Sequence, residues 1–140
     1  MTNIILNQSK ANELIKIEKH RKDDRKWNYP NIGILKIPLI SIDEKEEFIL
    51  DIWKGKISLI YKYQTRFCKT IILVRLDIGG SPHRNPDGEE ISSNHIHVYR
   101  EDYNIKDVLQ TLQHFLKYCN VTKPPSITQN SIQGELFNDK

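Results

Sequence analysis

The chain has 140 residues, of which 38% are hydrophobic and 28% charged, a composition typical of a globular domain and not of a disordered or fibrous chain. No apolar run reaches the length needed to cross a bilayer, and the first residues lack a signal-peptide pattern, so a cytoplasmic protein without membrane contact is expected. The two cysteines, Cys68 and Cys119, lie far apart and favour reduced thiols over a disulfide framework.

The positive charges are unevenly distributed. The net charge is only +3, yet six basic residues and no acidic one lie between residues 54 and 75. A one-sided basic surface binds phosphate more strongly than the net charge implies. The alternative is a solvated face whose balancing acids come from elsewhere in the fold.

Helical spacing is present near both ends of the chain. Residues 8–26 are predicted as a helix capped by Ser9, and residues 104–119 as a second helix, capped by Asn104 and bearing a continuous apolar stripe. Pro124 and Pro125 prevent that helix from resuming. We expect residues 1–125 to form one domain and residues 126–140 to form a polar, loosely held tail.

Between the helices the pattern is that of strands. Pro38 interrupts the first strand and indicates either an edge strand or an irregular extended segment. Gly55 would supply the unusual backbone angle of a hairpin turn. A sixteen-residue loop without regular structure separates the last two strands. The order predicts an α+β domain in which an antiparallel sheet of four to five strands is packed on one face by the N- and C-terminal helices. The predicted strands are 34–42, 48–53, 57–67, 70–77 and 95–100.

Alternation along the strands brings chemically active side chains to one face of this sheet. If Ile96 and Val98 face the core, the residues on either side of them share the opposite face. The same argument, with Ile72, Val74 and Leu76 inward, extends that face over the two preceding strands, and His83 would lie above it on the loop. The face so predicted bears Lys62, Arg66, Leu73, Arg75, Asp77, His95, His97 and Tyr99.

The motif in this region resembles a known family. It reads Arg75-x-Asp77-x-Gly79-Gly80-x-Pro82-His83-x-Asn85-Pro86-Asp87-Gly88 and continues as His95-x-His97-x-Tyr99-Arg100-Glu101. It is similar to that of small uncharacterised proteins from bacteria and their phages, grouped as a domain of unknown function. The match runs from about residue 49 to residue 103, and Asp102 stands where relatives tend to have glycine. The resemblance implies a site here and leaves its chemistry open.

The first chemistry that fits these residues is metal-independent RNA cleavage by a toxin-like protein. His95 or His97 would act as the base and His83 as the acid, since histidine titrates near neutrality. A cognate antitoxin would be the protein partner, and no cofactor is required. Arg75 with Lys62 or Arg66 would bind phosphate, Asp77 would orient a histidine or Arg75, and Tyr99 would stack on a base or donate to phosphate; the other expected binding residues are Arg84, Asn85 and Arg100.

Two other functions remain open at this point. His95-x-His97-x3-Glu101, with Asp77 or His83, has ligands suited to Zn²⁺, Fe²⁺ or Mn²⁺. The face could also bind a nucleic acid, a nucleotide or a protein without catalysis, as in a phage-borne inhibitor of host defence. The histidines would be ordinary half-exposed strand residues if none of these holds.

Overall fold

The computed structural model describes residues 6–55, 60–79, 83–84, 90–91, 95–99, 101–104 and 111–128. Two helices and a large sheet make up this part of the chain, which confirms the α+β class. The helices are α1 (Gln8–Lys16) and α2 (Leu112–Tyr118), and the strands are β1 (Lys19–Arg21), β2 (Lys26–Asn28), β3 (Gly33–Ser41), β4 (Glu47–Lys54), β5 (Tyr61–Phe67), β6 (Ile71–Ile78), β7 (His83–Arg84), β8 (Glu90–Ile91), β9 (His95–Val98), β10 (Glu101–Asn104), β11 (Val121–Lys123) and β12 (Ser126–Thr128).

The main sheet is larger than the sequence predicts. Its strand order is β10-β9-β6-β5-β4-β3-β1-β11. The first seven strands in this order are antiparallel neighbours, and β11 joins β1 in parallel. Two small sheets, β12-β2 and β7-β8, accompany it. The expectation of four to five strands is therefore wrong, and so is that of an irregular loop throughout 79–94.

The predicted first helix is too long. α1 begins after Asn7, whose side chain accepts a hydrogen bond from the Lys10 backbone N–H at 2.7 Å, so Asn7 and not Ser9 is the cap. The apolar stripe ends within the first half of the predicted helix, and the charged second half forms β1 and β2. These short strands pair with β11 and β12 from the other end of the chain. Long-range pairing here overrides helix propensity.

The second helix is shorter than predicted. α2 is capped by Thr111, whose hydroxyl accepts from the His114 backbone N–H at 3.1 Å. Asn104, the expected cap, is the last residue of β10, opposite His95. Ser126–Thr128, expected in the loose tail, form β12, and Ile127 is buried. The ordered part of the chain thus extends beyond residue 125.

Strand alternation fixes which side chains enter the core. Ile52, Tyr63, Leu76 and Ile96 lie directly opposite one another across four neighbouring strands, and all are buried. Polar side chains alternate with them on the other side of the sheet. This opposite side, which we call the outer face, is the one that the sequence analysis singles out.

A bulge alters this alternation in β6. Thr65 pairs with Val74 and Arg66 pairs with Ile72, so Leu73 is an extra residue with no partner position on β5. Leu73 is buried and Ile72 is half-exposed on the row of Arg66, which reverses the orientation predicted for both. A bulge shifts the pleat by one residue.

Lys19 lies fully buried where the two helices end. Its ammonium donates to the backbone oxygens of Ile15 at 2.8 Å, Ile17 at 3.0 Å and Cys119 at 2.8 Å, and it lies 4.9 Å from the centre of the Phe48 ring. The last carbonyls of a helix have no partner within the helix. One lysine therefore caps the C-terminal ends of both α1 and α2.

Gly55 has a steric role and not the backbone role expected of it. Its φ angle is not positive, and a Cβ atom there would lie 3.0 Å from the Trp53 ring.

No helix in the described part of the chain is long and apolar enough to span a membrane.

Candidate functional site

The outer face is organised as two neighbouring rows of side chains that cross the strands. Strand register places Asp51, Gln64, Arg75 and His97 directly opposite one another on β4, β5, β6 and β9. The next row places Trp53, Lys62, Asp77 and His95 in the same strand order. Directly opposite residues of an antiparallel pair have Cβ atoms about 4.5–5.5 Å apart. The register therefore brings together Arg75, Asp77 and both histidine positions, as the sequence predicts.

Arg75 and Asp77 form the centre of the site. They are two positions apart on β6, and Arg75 Nε lies 3.1 Å from Asp77 Oδ1. The Asp77 side chain is 8% exposed and that of Arg75 is 34% exposed. This distance is that of an ion pair. Arg75 thus has a buried ionic partner while part of it faces solvent.

The two histidines occupy neighbouring positions in this arrangement. His97 is half-buried and pairs with Arg75, whereas the backbone of His95 pairs with Asp77. On the other side of β9, His97 pairs with Asp102 and His95 with Asn104. Each histidine position therefore has one charged residue of β6 directly beside it.

Asp51 is a component of the outer face that the sequence analysis missed. It is buried, and its carboxylate accepts from Arg66 Nε at 2.6 Å, from Arg66 Nη2 at 2.9 Å and from the Gln64 amide at 2.7 Å. The sequence does indicate this position, because the apolar residues Phe48, Leu50 and Ile52 alternate along β4 around it. An aspartate between two core-facing residues has to lie on the outer face.

Arg66 is accordingly committed to internal contacts. Besides its bidentate bond to Asp51, its Nη1 donates to the backbone oxygen of Lys69 at 2.6 Å. A guanidinium whose forked donors already bind a carboxylate is poorly placed to bind phosphate. The cations that remain for a ligand on the described rows are Arg75, Lys62 and the exposed Lys36, which lies opposite Asp51 on β3.

Tyr99 does not lie on the outer face. β9 ends at Val98, and Tyr99 has a φ angle of 21°, so its ring turns into the core. Its hydroxyl donates to the backbone oxygen of Leu6 at 2.6 Å. Its backbone N–H donates to the backbone oxygen of Leu73 at 2.8 Å. The prediction that it shares a face with the histidines is wrong, because strand alternation ends one residue earlier.

Lys62 and Trp53 form the aromatic part of the face. Lys62 Nζ lies 5.4 Å from the centre of the Trp53 ring, within the range of a cation–π contact. Both side chains are half-exposed. They lie on the row of Asp77 and His95, so a planar group and a positive charge stand beside the Arg75–Asp77 pair.

The remaining predicted residues are described only in part. His83 and Arg84 form β7, which pairs with β8 in a separate small sheet, and the structure gives their backbone positions alone. Asn85 and Arg100 lie outside the described residues.

The metal set proposed from sequence does not match the register. Glu101 pairs with Val98, and it is Asp102 that pairs with His97. Among the side chains that the structure describes, no three His, Cys, Asp or Glu lie close enough together to hold a metal ion.

Two open grooves in the described part of the molecule lie away from the rows of Arg75 and Asp77. They measure about 650 and 560 Å³, and one lies beside α2 and β11 and the other beside Pro38 and Cys68. The row residues Arg75, Asp77 and His97 line neither groove.

Comparison with known proteins identifies a family but no activity. No curated protein and no solved structure matches the chain. A family model matches residues 6–121, which include α1, the outer face and α2. This agrees with the resemblance noted from the sequence motif. The chain belongs to the family of unknown function DUF6978.

Proposed function

We propose that this protein cleaves RNA without a metal ion, using the outer face as its active site. The observation that supports this most directly is the pairing of β6 with β9, in which Arg75 lies opposite His97 and Asp77 opposite His95. Imidazoles at these two positions, beside a guanidinium, would supply the groups required for proton transfer at a phosphodiester.

The proposal requires that the outer face be open, with both helices on the other side of the sheet. The Phe115 ring of α2 lies 6.0 Å from that of Tyr63, and Cys119 Sγ lies 3.9 Å from Thr65 Oγ1. Tyr63 and Thr65 are both core-facing residues of β5. These contacts support α2 on the core side, and the three buried residues of α1 belong to the same core.

The reaction would be an intramolecular attack on phosphorus. The neutral imidazole of His97 accepts the proton of the 2′-hydroxyl, the 2′-oxygen bonds to phosphorus, and the bond from phosphorus to the 5′-oxygen breaks. A protonated imidazole, that of His95 or His83, donates a proton to the leaving 5′-oxygen. The products are a 2′,3′-cyclic phosphate and a 5′-hydroxyl. Arg75 would stabilise the charge on the phosphoryl oxygens, and Asp77 would orient Arg75.

Substitution of His97 tests this proposal. His97→Gln should lower the rate of cleavage of single-stranded RNA at least 100-fold, the usual effect of losing a general base, and Arg75→Met should lower it by a similar factor. His114→Gln is the matched control, because His114 is exposed on α2, and it should keep full activity. Chelation with EDTA should have no effect. Full activity of His97→Gln would remove the proposal.

The two proton-transfer roles can be separated with an activated substrate. Uridine 3′-(4-nitrophenyl phosphate) has a leaving group that departs without a proton. The variant that lacks the acid should therefore cleave it almost normally, and the variant that lacks the base should not. Comparing His95→Gln with His97→Gln on this substrate and on RNA assigns the roles.

Binding without cleavage is the second candidate. It is favoured by the commitment of Arg66 to Asp51 and by the burial of Tyr99, since both leave fewer groups for catalysis. Lys62 and Trp53 could still bind and stack on a single strand. Salt-dependent binding of RNA by a wild-type protein that does not cleave it would establish this function.

The cellular role proposed with cleavage is that of a cytoplasmic toxin held inactive by a cognate partner. Expression of the wild-type chain should then arrest growth, and His97→Gln should not. A binding-only protein, such as an inhibitor of host defence borne by a phage, would be tolerated in both forms.

A further inference from the structure

Among the described strands, β3 has a neighbour on its β1 side along only part of its length. It pairs with β4 over Gly33–Ile40 but with β1 only over Leu39–Ser41. In the part of the chain that the structure describes, no strand pairs with residues 33–37 on the β1 side. We call this stretch, Gly33–Ile37, the β3 edge.

Hydrogen bonds identify the backbone groups that point outward. Lys22 N–H donates to the Pro38 carbonyl at 3.3 Å, and Ile42 N–H donates to the Glu18 carbonyl at 3.1 Å, so even-numbered residues of this segment face β1. In an antiparallel strand the N–H and C=O of one residue point to the same side, and the side alternates along the strand. Ile34 and Lys36 therefore direct their N–H and C=O groups to the open side.

Pro38 explains why the pairing with β1 stops. Its carbonyl faces β1, and the nitrogen on the same side has no hydrogen to donate. An edge strand is one of the two alternatives that the sequence indicates for this reason. The structure makes β3 an interior strand over its second half and an edge strand over its first half.

The side chains at the β3 edge are apolar and basic. Ile34 is 52% exposed, and Ile32, just before the edge, is 56% exposed. Lys36 is exposed, and the acid opposite it, Asp51, is already bonded to Arg66 and Gln64. The unpaired N–H and C=O groups of an exposed strand edge are a template for another strand.

We propose that the β3 edge is a docking site for an extended acidic segment of another protein. The segment would add as a strand, bonding to the backbone of Ile34 and Lys36, with an apolar side chain beside Ile34 and an acidic one beside Lys36. Five residues suit a short docked segment, whereas a stable dimer of the chain needs about 20–30 interface residues on each side. The site does not depend on RNA cleavage.

Amide hydrogen exchange of the full chain tests the proposal. In the free protein the amides of Ile34 and Lys36 should exchange quickly, while those of Leu35 and Ile37, which face β4, should be protected. A blocked peptide of sequence Thr-Val-Thr-Glu-Thr, in which valine and glutamate are two positions apart and so share one face, should slow exchange at Ile34 and Lys36 at least tenfold at millimolar concentration. The same peptide with lysine in place of glutamate is the control and should protect these amides less.

Two substitutions at one position separate the backbone from the charge. Lys36→Pro removes an N–H that points to the open side and none that bonds to β4, so it should abolish protection by the peptide. Lys36→Gln keeps the N–H and should weaken the peptide effect severalfold, chiefly at low salt. If Lys36→Pro does not fold, two measurements still test the proposal. These are the alternation of fast and slow amide exchange along residues 34–37 and the effect of the peptide on Lys36→Gln.

Three results would overturn the proposal. The first is protection of Ile34 and Lys36 in the free protein at low concentration, which means that the chain itself covers the edge. The second is protection that rises with protein concentration, which means that a second copy does so. The third is an unchanged exchange rate at both amides when the acidic peptide is added.

Discussion

The Cys119 thiol is fully enclosed beside the Lys19 ammonium and the Thr65 hydroxyl. Burial raises the pKa of Cys119 from 9.0 to about 12, against the opposing influence of Lys19 and Thr65. The thiolate has lost its solvation in this position, and that loss outweighs the attraction of the nearby charge. The thiol is therefore a small core residue and an unreactive one.

This thiol should make the folded state less stable in alkali. Because the folded pKa lies above the unfolded one, its contribution to stability is complete below pH 9 and is lost as the pH rises towards 12. Between pH 8 and pH 10 the free energy of unfolding should fall by about 1 kcal/mol from this group. Urea unfolding should therefore show wild type losing about 1 kcal/mol of stability relative to Cys119→Ala over this range, because groups that titrate in both proteins cancel in the comparison. Cys68→Ala should behave as wild type does in this comparison, since Cys68 is exposed.

The residues that form the outer face differ in how readily the sequence reveals them. Arg75, Asp77 and the histidines follow from strand alternation, and Asp51 follows from the same rule applied to β4. Tyr99 does not, because a turn with a positive φ angle at tyrosine has no glycine to signal it. Arg66 lies on the face that the sequence predicts, but it binds Asp51 instead of being available for phosphate. The sequence does not reveal this bond, because it depends on the register between two strands.

At the scale of elements, the turn between β5 and β6 is strained. Cys68 and Lys69 have φ angles of 54° and 68°, and the Thr70 N–H donates to the Phe67 carbonyl at 3.3 Å. Two consecutive positive φ angles are those of the tight hairpin turn that favours Asn-Gly. Cys68 and Lys69 both have a Cβ atom, which is sterically disfavoured at these positive φ angles.

Replacing Lys69 by glycine should therefore stabilise the protein. Glycine adopts a positive φ angle without strain, so Lys69→Gly should raise the free energy of unfolding by about 0.5–1 kcal/mol. Its carbonyl, which accepts from Arg66, is unchanged. Asn120→Gly is the contrast: Asn120 also has a positive φ angle, but its side chain donates to the Lys16 carbonyl at 2.7 Å, so this variant should gain nothing. Urea titrations compare the two.

The elements that the sequence predicts best are those whose partners are close along the chain. β4, β5 and β6 are joined by short connections, and their alternation reflects one buried side. β2 and one side of β1 have partners about 100 positions away, and the other side of β1 pairs with β3. Nothing within these two segments distinguishes their charged residues from a helix. The bulge at Leu73 is likewise a property of the β5–β6 pair and not of β6 alone.

At the scale of the whole molecule, Lys19 joins the two ends of the chain. Its three acceptors belong to the C-terminal ends of α1 and α2. Lys19→Met should leave these buried carbonyls without a donor and destabilise the protein by about 3 kcal/mol at pH 7. Lys16→Met, at an exposed position on α1, should change stability little. Thermal or urea unfolding at pH 7 measures both.

The cost of removing Lys19 should depend on pH. Burial lowers the pKa of Lys19 from 10.5 to about 8, so between these values the unfolded chain retains a proton that the folded chain has lost. By proton linkage, the contribution of Lys19 to the free energy of unfolding of the wild-type protein should therefore rise by about 2 kcal/mol between pH 7.5 and 9.5. Lys19→Met lacks this rise. A difference between wild type and variant that stays constant over this range would contradict the assignment.

The parallel pairing of β1 with β11 and of β2 with β12 has a consequence for synthesis on the ribosome. Residues 19–28 emerge early, but the strands beside them contain residues 121–128. The β3–β6 meander and its pairing with β1 can form as these residues leave the exit tunnel, whereas β2 and the β11 side of β1 have to wait for residues 121–128. We therefore expect the pairing of β1 with β11 and of β2 with β12 to be a late and slow step in folding, because it closes a long stretch of chain.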